Sequence, residues 1–398
     1  MVRNSLRQHA LSTAVTTFSI SLATGLLMAV WVVKDQSHAA FTGFTGGFDA
    51  VLGARGSKLQ LVLNTIFHLE DSPGNMAWQD FLDIKQHPNV ELAVPLALGD
   101  NYRGYRIVGT SEEFFHKSML GPGKKLSLQS GGRWFDPTLR EAVVGSVAAQ
   151  RVGLHVGDTF QPYHGLLFDE KSQHEEIYLV VGILEPSNTP ADRVIWIPLE
   201  GVQLMGGHSA ESATQVSGAL VRLKAGAATT GFHLDLLYNK QGNRLTFAWP
   251  IGRVMAQLFD KIAWFDRVLA LVAYLVALVA SASILASLYN SMNERRREIA
   301  ILRALGARRS TLFGAIIAES ALIAALGALA GFILYAIIAG LAAIIIRAQV
   351  GIILNPLTPH WIMVAAPAGM TLLGALAGLA PAFKAYRTDV SENLAPHS

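Results

Sequence analysis

The sequence has no cysteine among its 398 residues, which excludes a disulfide framework and thiol chemistry and leaves the redox compartment unread. Charged residues make up only 15% and the formal net charge is +3, so there is no electrostatic footprint for nucleic acid. Nucleotide-hydrolysing machinery is missing too. A phosphate-cradling loop needs GxxxxGK followed by Ser or Thr, and the Gly123-Lys124 pair is followed by Lys125. Neither a GxSxG elbow nor an HExxH helix occurs. The expectation is a chain that is not an enzyme, with no catalytic, cofactor-binding or metal residues of its own.

Hydrophobic residues reach 51%, and they are bunched rather than spread. Four runs are long enough to cross a bilayer: 11–33, 262–290, 311–346 and 361–383. Arg3 and Arg7 precede the first run, which is too long for the apolar part of a signal peptide and reads as a retained helix. Within it Ser21, Gly25 and Ala29 form a ridge of small residues. The third run exceeds what a bilayer needs, even tilted. Arginines gather at 295–309, Lys384 and Arg387 follow the fourth run, and the loop 347–360 holds only Arg347. By the positive-inside rule residues 1–10, 291–310 and 384–398 are cytoplasmic and 34–261 lies outside.

Residues 34–261 have globular composition. Short apolar segments at 59–63, 90–98, 106–109 and 178–184 read as strands, and 111–117 and 140–152 as helices. The fold class is therefore a membrane protein with four transmembrane helices plus a large α+β periplasmic domain inserted between helices 1 and 2.

Between the second and third runs the chain reads NERRREIAILRALGARRSTLFGAIIAE from Asn293 to Glu319. Ile299, Ile301, Leu302 and Leu305 give it an apolar stripe among charges, and Gly306 is a natural helix end. Glu294, Glu298, Ile299, Leu302, Arg303, Ala304, Leu305, Gly306 and Ala307, with Glu319 in the following span, resemble the cytoplasmic coupling segment of the MacB/FtsX/LolC-LolE permeases, the type VII ABC transporters. Pieces of the outer domain are similar to that family's periplasmic core: Ile107-Val108-Gly109-Thr110, Gly132-Arg133-Trp134-Phe135, Val180 to Leu184 and Ile195 to Leu199. The tail resembles the family's carboxyl-terminal signature through Pro381, Ala382, Asp389 and Leu394, with Val390 where proline is usual.

The resemblance implies a stand-alone permease subunit in a bacterial inner membrane, with a core domain of two subdomains over 34–261. Glu294, Arg297, Glu298, Ile299, Leu302, Arg303, Leu305 and Gly306 would contact separate ABC ATPase subunits of the LolD/MacB type, which would use the ATP and Mg. A second permease chain, identical or paralogous, would complete the complex, with membrane lipids around it and a periplasmic adaptor or substrate protein above it. The sequence begins directly at the first span, as LolC and LolE do. Lipoprotein or lipid-linked cargo extraction is the first functional expectation; a MacB-like tripartite efflux pump and an FtsX-like regulator of cell-wall hydrolases are the alternatives.

Three further groups stand out. Glu319 is an acid inside a span, a functional candidate by type that can also pair with a nearby arginine. Gly327 with Gly331, and Gly374 with Gly378, form GxxxG pairs suited either to packing within one chain or to a dimer seam. His164 and His174 flank Asp169 and Glu170, with Glu175 and Glu176 following, but the spacing matches no established zinc or calcium pattern. A solvated polar loop is expected there.

Overall fold

The structure is a computed structural model that describes residues 10–119, 125–165, 168–208, 210–226, 228–294, 301, 303–351 and 353–387. The chain divides into two compact units, one comprising Met1–Gln36, Ile262–Ile344 and Asn355–Ser398, the other Ser37–Lys261 with Ile345–Leu354.

Among the described residues, four helices are long and apolar enough to cross a membrane, with candidate spans Thr13–Gly43, Ile251–Asn290, Arg309–Val350 and Ile362–Lys384. The fourth is two helices, Ile362–Ala377 and Leu379–Arg387, joined at Gly378. Ala273, Ala277, Ala280, Ile284 and Leu288 recur at helical spacing and are all buried against Ile20, Ala23, Ile323, Ala324 and Met370. The opposite faces carry Leu275, Leu278, Leu329 and Ile333 outward, an apolar exterior suited to lipid.

Glycine sets the spacing of this bundle. A Cβ on Gly327 would lie 2.7 Å from the Ile20 Cβ, one on Gly331 2.8 Å from the Thr24 Cβ, and one on Gly25 2.9 Å from the Gly331 carbonyl oxygen. Gly374 faces Ala324 and Gly378 faces Ser320 with similarly little room. Both GxxxG pairs therefore pack inside the chain, the first against the Ser21-Gly25-Ala29 ridge and the second against the third span.

The head is an α+β domain around one sheet. Its strands are β1 (Ala50–Ala54), β2 (Met76–Ala77), β3 (Val90–Tyr102), β4 (Tyr105–Thr110), β5 (Glu141–Val144), β6 (Thr159–Phe160), β7 (Tyr163–His164), β8 (Tyr178–Ile183), β9 (Ile195–Pro198), β10 (Gln215–Val216), β11 (Gly218–Leu223) and β12 (Leu245–Ala248). The order is β12-β1-β11-β3-β4-β9-β5-β8-β6, with β7 added to β3, and β2 pairing β10 apart. Strands β4–β9 and β5–β8 are parallel; the other pairs are antiparallel. Both faces are covered: Val108, Val143 and Trp196 lie in one apolar cluster, while their neighbours Ile107, Ala142, Val144, Ile195 and Ile197 lie in another. Strands buried on both faces read as continuous apolar runs, as these do.

Three sequence expectations need correction. Residues 59–63 are helical, within Lys58–Thr65; the Ser57 side chain caps the first turn and Leu61, Val62 and Thr65 bury one helical face. The stretch 140–152 splits into β5 and the helix Ser146–Val152, because Gly145 abuts the Asp192 backbone too closely for any side chain. The second apolar run, expected over 262–290, is part of a longer helix that begins at Ile251, shortly after the buried Phe247 of β12.

Candidate functional site

The most chemically distinctive place in the head is the far end of β3. This strand outruns β11, whose pairing stops at Leu96, and β7 then takes up Asp100 and Asn101. A bulge falls between Leu98 and Asp100, so Asp100 stands opposite Ile107 and shares its face. Strict alternation would have sent position 100 to the other face; the extra residue re-aims it.

Asp100 is fully buried, and three imidazoles converge on its Oδ1. His208 Nε2 lies at 3.2 Å, His174 Nε2 at 3.3 Å and His164 Nδ1 at 3.4 Å. Each comes from a different element. His164 is in β7, His174 follows the Glu170–Ser172 turn, and His208 lies in the loop beyond the Leu199–Gln203 helix. The loop turns at Gly207, whose φ of +87° few other residues adopt. Backbone carbonyls hold two rings from behind: His174 Nδ1 donates to Gly206 O at 2.7 Å and His208 Nδ1 to Val202 O at 2.9 Å.

The electrostatics follow from this packing. Burial pushes the Asp100 carboxyl up, but the hydrogen bonds and charges of His174 and His208 outweigh it and leave its pKa below the ordinary value. The hydrogen bond to Asp100 holds His174 and His208 above the ordinary imidazole value, against the opposing effect of burial. Asp100 Oδ2 is buried without a hydrogen-bond partner.

This corrects two expectations. His174 is buried rather than part of a solvated loop, because the hairpin closed by the Tyr163–Gln173 bridge brings its ring against Asp100 of β3. The head also does contain a set of residues able to hold a metal ion, Asp100, His164, His174 and His208, whose ligand atoms lie within 4.8 Å of one another. Asp169, Glu170, Glu175 and Glu176 are not in that set. Asp100 and His208 escaped the sequence reading, although an aspartate ending the apolar run VELAVPLALGD and a histidine after two glycines were its visible traces.

Comparison with known proteins fixes the family. A model described as the MacB-like periplasmic core domain matches residues 13–233, and one described as the FtsX-like permease C-terminal matches 270–390. The chain belongs to the MacB/FtsX-like permease family. Among curated relatives, the macrolide export ATP-binding/permease protein MacB of Bordetella avium is 26% identical, over 54% of this chain and 33% of its own length. MacB of a Shewanella species is 23% identical over 77% of this chain and 46% of its length. The probable syringafactin export ATP-binding/permease protein SyfD of Pseudomonas syringae is 25% identical over 54% and 33%. This permease thus spans between about a quarter and about half of the length of the relatives it matches. Among solved structures, the periplasmic region of MacB from Actinobacillus actinomycetemcomitans gives a TM-score of 0.36 at 11% identity, covering 55% of this chain and 94% of that one. The extracellular domain of the noncanonic ABC-type transporter YknZ gives 0.32 at 15%, covering 50% and 99%.

Of the permease's expected coupling residues, Arg297, Glu298, Ile299 and Leu302 lie outside the described residues, as does Asp389 of the tail. Glu294 ends the Ile251–Glu294 helix. Gly306 adopts φ +96° and donates its N–H to Arg303 O at 3.0 Å, closing the segment before the helix Arg309–Val350 begins. Leu305 is 79% exposed. Glu319 is half-buried and engaged with a partner. Pro381 sits in the first turn of Leu379–Arg387, where a missing N–H costs nothing, and Ala382 is buried with Met292, Leu312 and Ile316.

Proposed function

We propose that this chain is the permease subunit of a type VII ABC system, in which ATP hydrolysis on a separate ATPase drives movement of the head. The observation that carries the reading is the order of the two family matches, core domain at 13–233 and permease domain at 270–390, on a chain with four long apolar helices among its described residues and no GxxxxGK followed by Ser or Thr in its sequence. In this reading ATPase subunits dock on the arginine-rich segment 294–306. Leu305 supports it as a large, exposed apolar side chain, bracketed by Arg303 and Arg308. The Ile251–Glu294 helix supplies a rod of 44 residues, about 66 Å long, against a bilayer core of about 30 Å. A second permease chain completes the complex, and lipoprotein or lipid-linked cargo is the substrate class. Efflux of a small molecule is the second reading, since the MacB relatives are macrolide export proteins.

Leu305→Asp tests the docking step. Placed in an apolar contact, the new carboxylate costs several kcal/mol unless paired. The variant is expected to insert normally, yet to lose stimulation of the co-reconstituted ABC ATPase and transport in cells. Unchanged ATPase activity and transport would remove the segment from the mechanism.

A further inference from the structure

We propose that Asp100, His164, His174 and His208 form a tetrahedral binding site for one divalent transition-metal ion of the Zn²⁺ class. The proposal does not rest on the permease reading, since all four ligands belong to the head.

Hydrogen-bond direction makes the first argument. A carbonyl oxygen only accepts, so the contacts from His174 Nδ1 to Gly206 O and from His208 Nδ1 to Val202 O place the ring protons on Nδ1. In the neutral rings each Nε2 therefore turns a lone pair toward Asp100 Oδ1, at 3.3 and 3.2 Å. Acceptors aimed at a buried carboxylate repel unless positive charge lies among them. Backbone carbonyls behind the rings are also what fixes the tautomer of a metal-bound histidine.

Distances make the second. With ligand bonds of about 2.0–2.1 Å, the edges of a zinc tetrahedron are about 3.3–3.4 Å. The edges from Asp100 Oδ1 to the three histidine nitrogens are 3.2, 3.3 and 3.4 Å. The three rings stand at similar distances from one another, with centroids 5.0, 5.2 and 5.5 Å apart.

Donor type and access complete the case. Three imidazoles and one carboxylate suit Zn²⁺ and its neighbours, whereas Ca²⁺ and Mg²⁺ take oxygen ligands. Burying a bare carboxylate such as Asp100, with Oδ2 unpaired, is costly, and a cation offsets that cost. His164 is 57% exposed along its side chain, and a cleft of about 270 Å³ reaches His164 and His208, so an ion can enter. With all four positions filled by protein, the ion would clamp the hairpin and the Gly206-Gly207 turn onto β3 rather than activate water.

The test uses the full chain, purified in detergent with a histidine-free tag and stripped with EDTA. Calorimetric titration with Zn²⁺ and elemental analysis should give one ion per chain with a rise in Tm, and Co²⁺ should produce the intense visible bands of tetrahedral coordination. Asp100→Asn and His164→Ala should each weaken Zn²⁺ binding by at least roughly 10- to 100-fold, the loss caused by removing even an outer-shell partner. His164 is largely exposed, so its removal leaves the fold intact; His155→Ala, on another loop, should bind as wild type. A stripped chain that takes up no Zn²⁺, His164→Ala binding undiminished, or weak octahedral Co²⁺ bands would overturn the site and leave a cluster held by protons on its histidines.

Discussion

His68 shows how much one side chain can ask of its surroundings. It is half-buried beside Trp196, edge to face at 5.6 Å, with Nδ1 unpaired. Burial first, and then the charge of Arg106, lower its pKa from 6.5 to about 3. An unfolded chain takes up a proton below pH 6.5 that the folded head refuses, so the stability this histidine permits is complete above that pH and falls as the pH drops toward 3. The slope approaches about 1.4 kcal/mol per pH unit. Thermal unfolding of the full chain between pH 7.5 and 5 should thus be less pH-dependent in His68→Leu than in wild type. Parallel profiles would mean that His68 titrates normally in the fold.

Among elements, the close-packed spans yield the sharpest contrast. Gly331→Leu drives side-chain atoms into Thr24 and should destabilise the solubilised protein by about 1–3 kcal/mol. Gly340 lies in the same helix, but nothing stands within 4 Å of its would-be Cβ. Gly340→Ala should be neutral or gain up to about 1 kcal/mol. Detergent-phase thermal melts of both variants check the pair, and equal shifts would mean that the contact with Thr24 does not govern Gly331.

The same scale shows what was legible in the sequence. Strands β3, β4 and β8 announced themselves because sheets covered on both faces need unbroken apolar runs. The helix Lys58–Thr65 hid because KLQLVLNT suits either periodicity over so few residues, and only the Ser57 cap tips it. The histidine-aspartate cluster was illegible for a different reason. His208 and Asp100 are 108 residues apart, and they meet only through the bulge in β3 and the strand pairing of β7. Local patterns carry no trace of such a meeting, whereas NERRREIAILRALGA is a contiguous string that reads directly.

For the whole molecule, the distribution of arginine sets an expected orientation, with 301–309 on the cytoplasmic side and the head outside. The absence of native cysteine makes this directly measurable. Ser310→Cys should stay protected from a membrane-impermeant maleimide in intact spheroplasts, while His155→Cys, on an exposed turn of the head, should label at once. The opposite pattern would invert the topology and place the arginine segment beyond reach of any cytoplasmic ATPase.

One consequence concerns the passage of lipid. Where Gly25 meets Gly331, and Gly327 meets Ile20, the first and third spans touch nearly backbone to backbone. No acyl chain fits through that seam. A hydrocarbon-tailed molecule entering this bundle sideways from the bilayer would have to find another opening, since separating these two helices would first break this close approach.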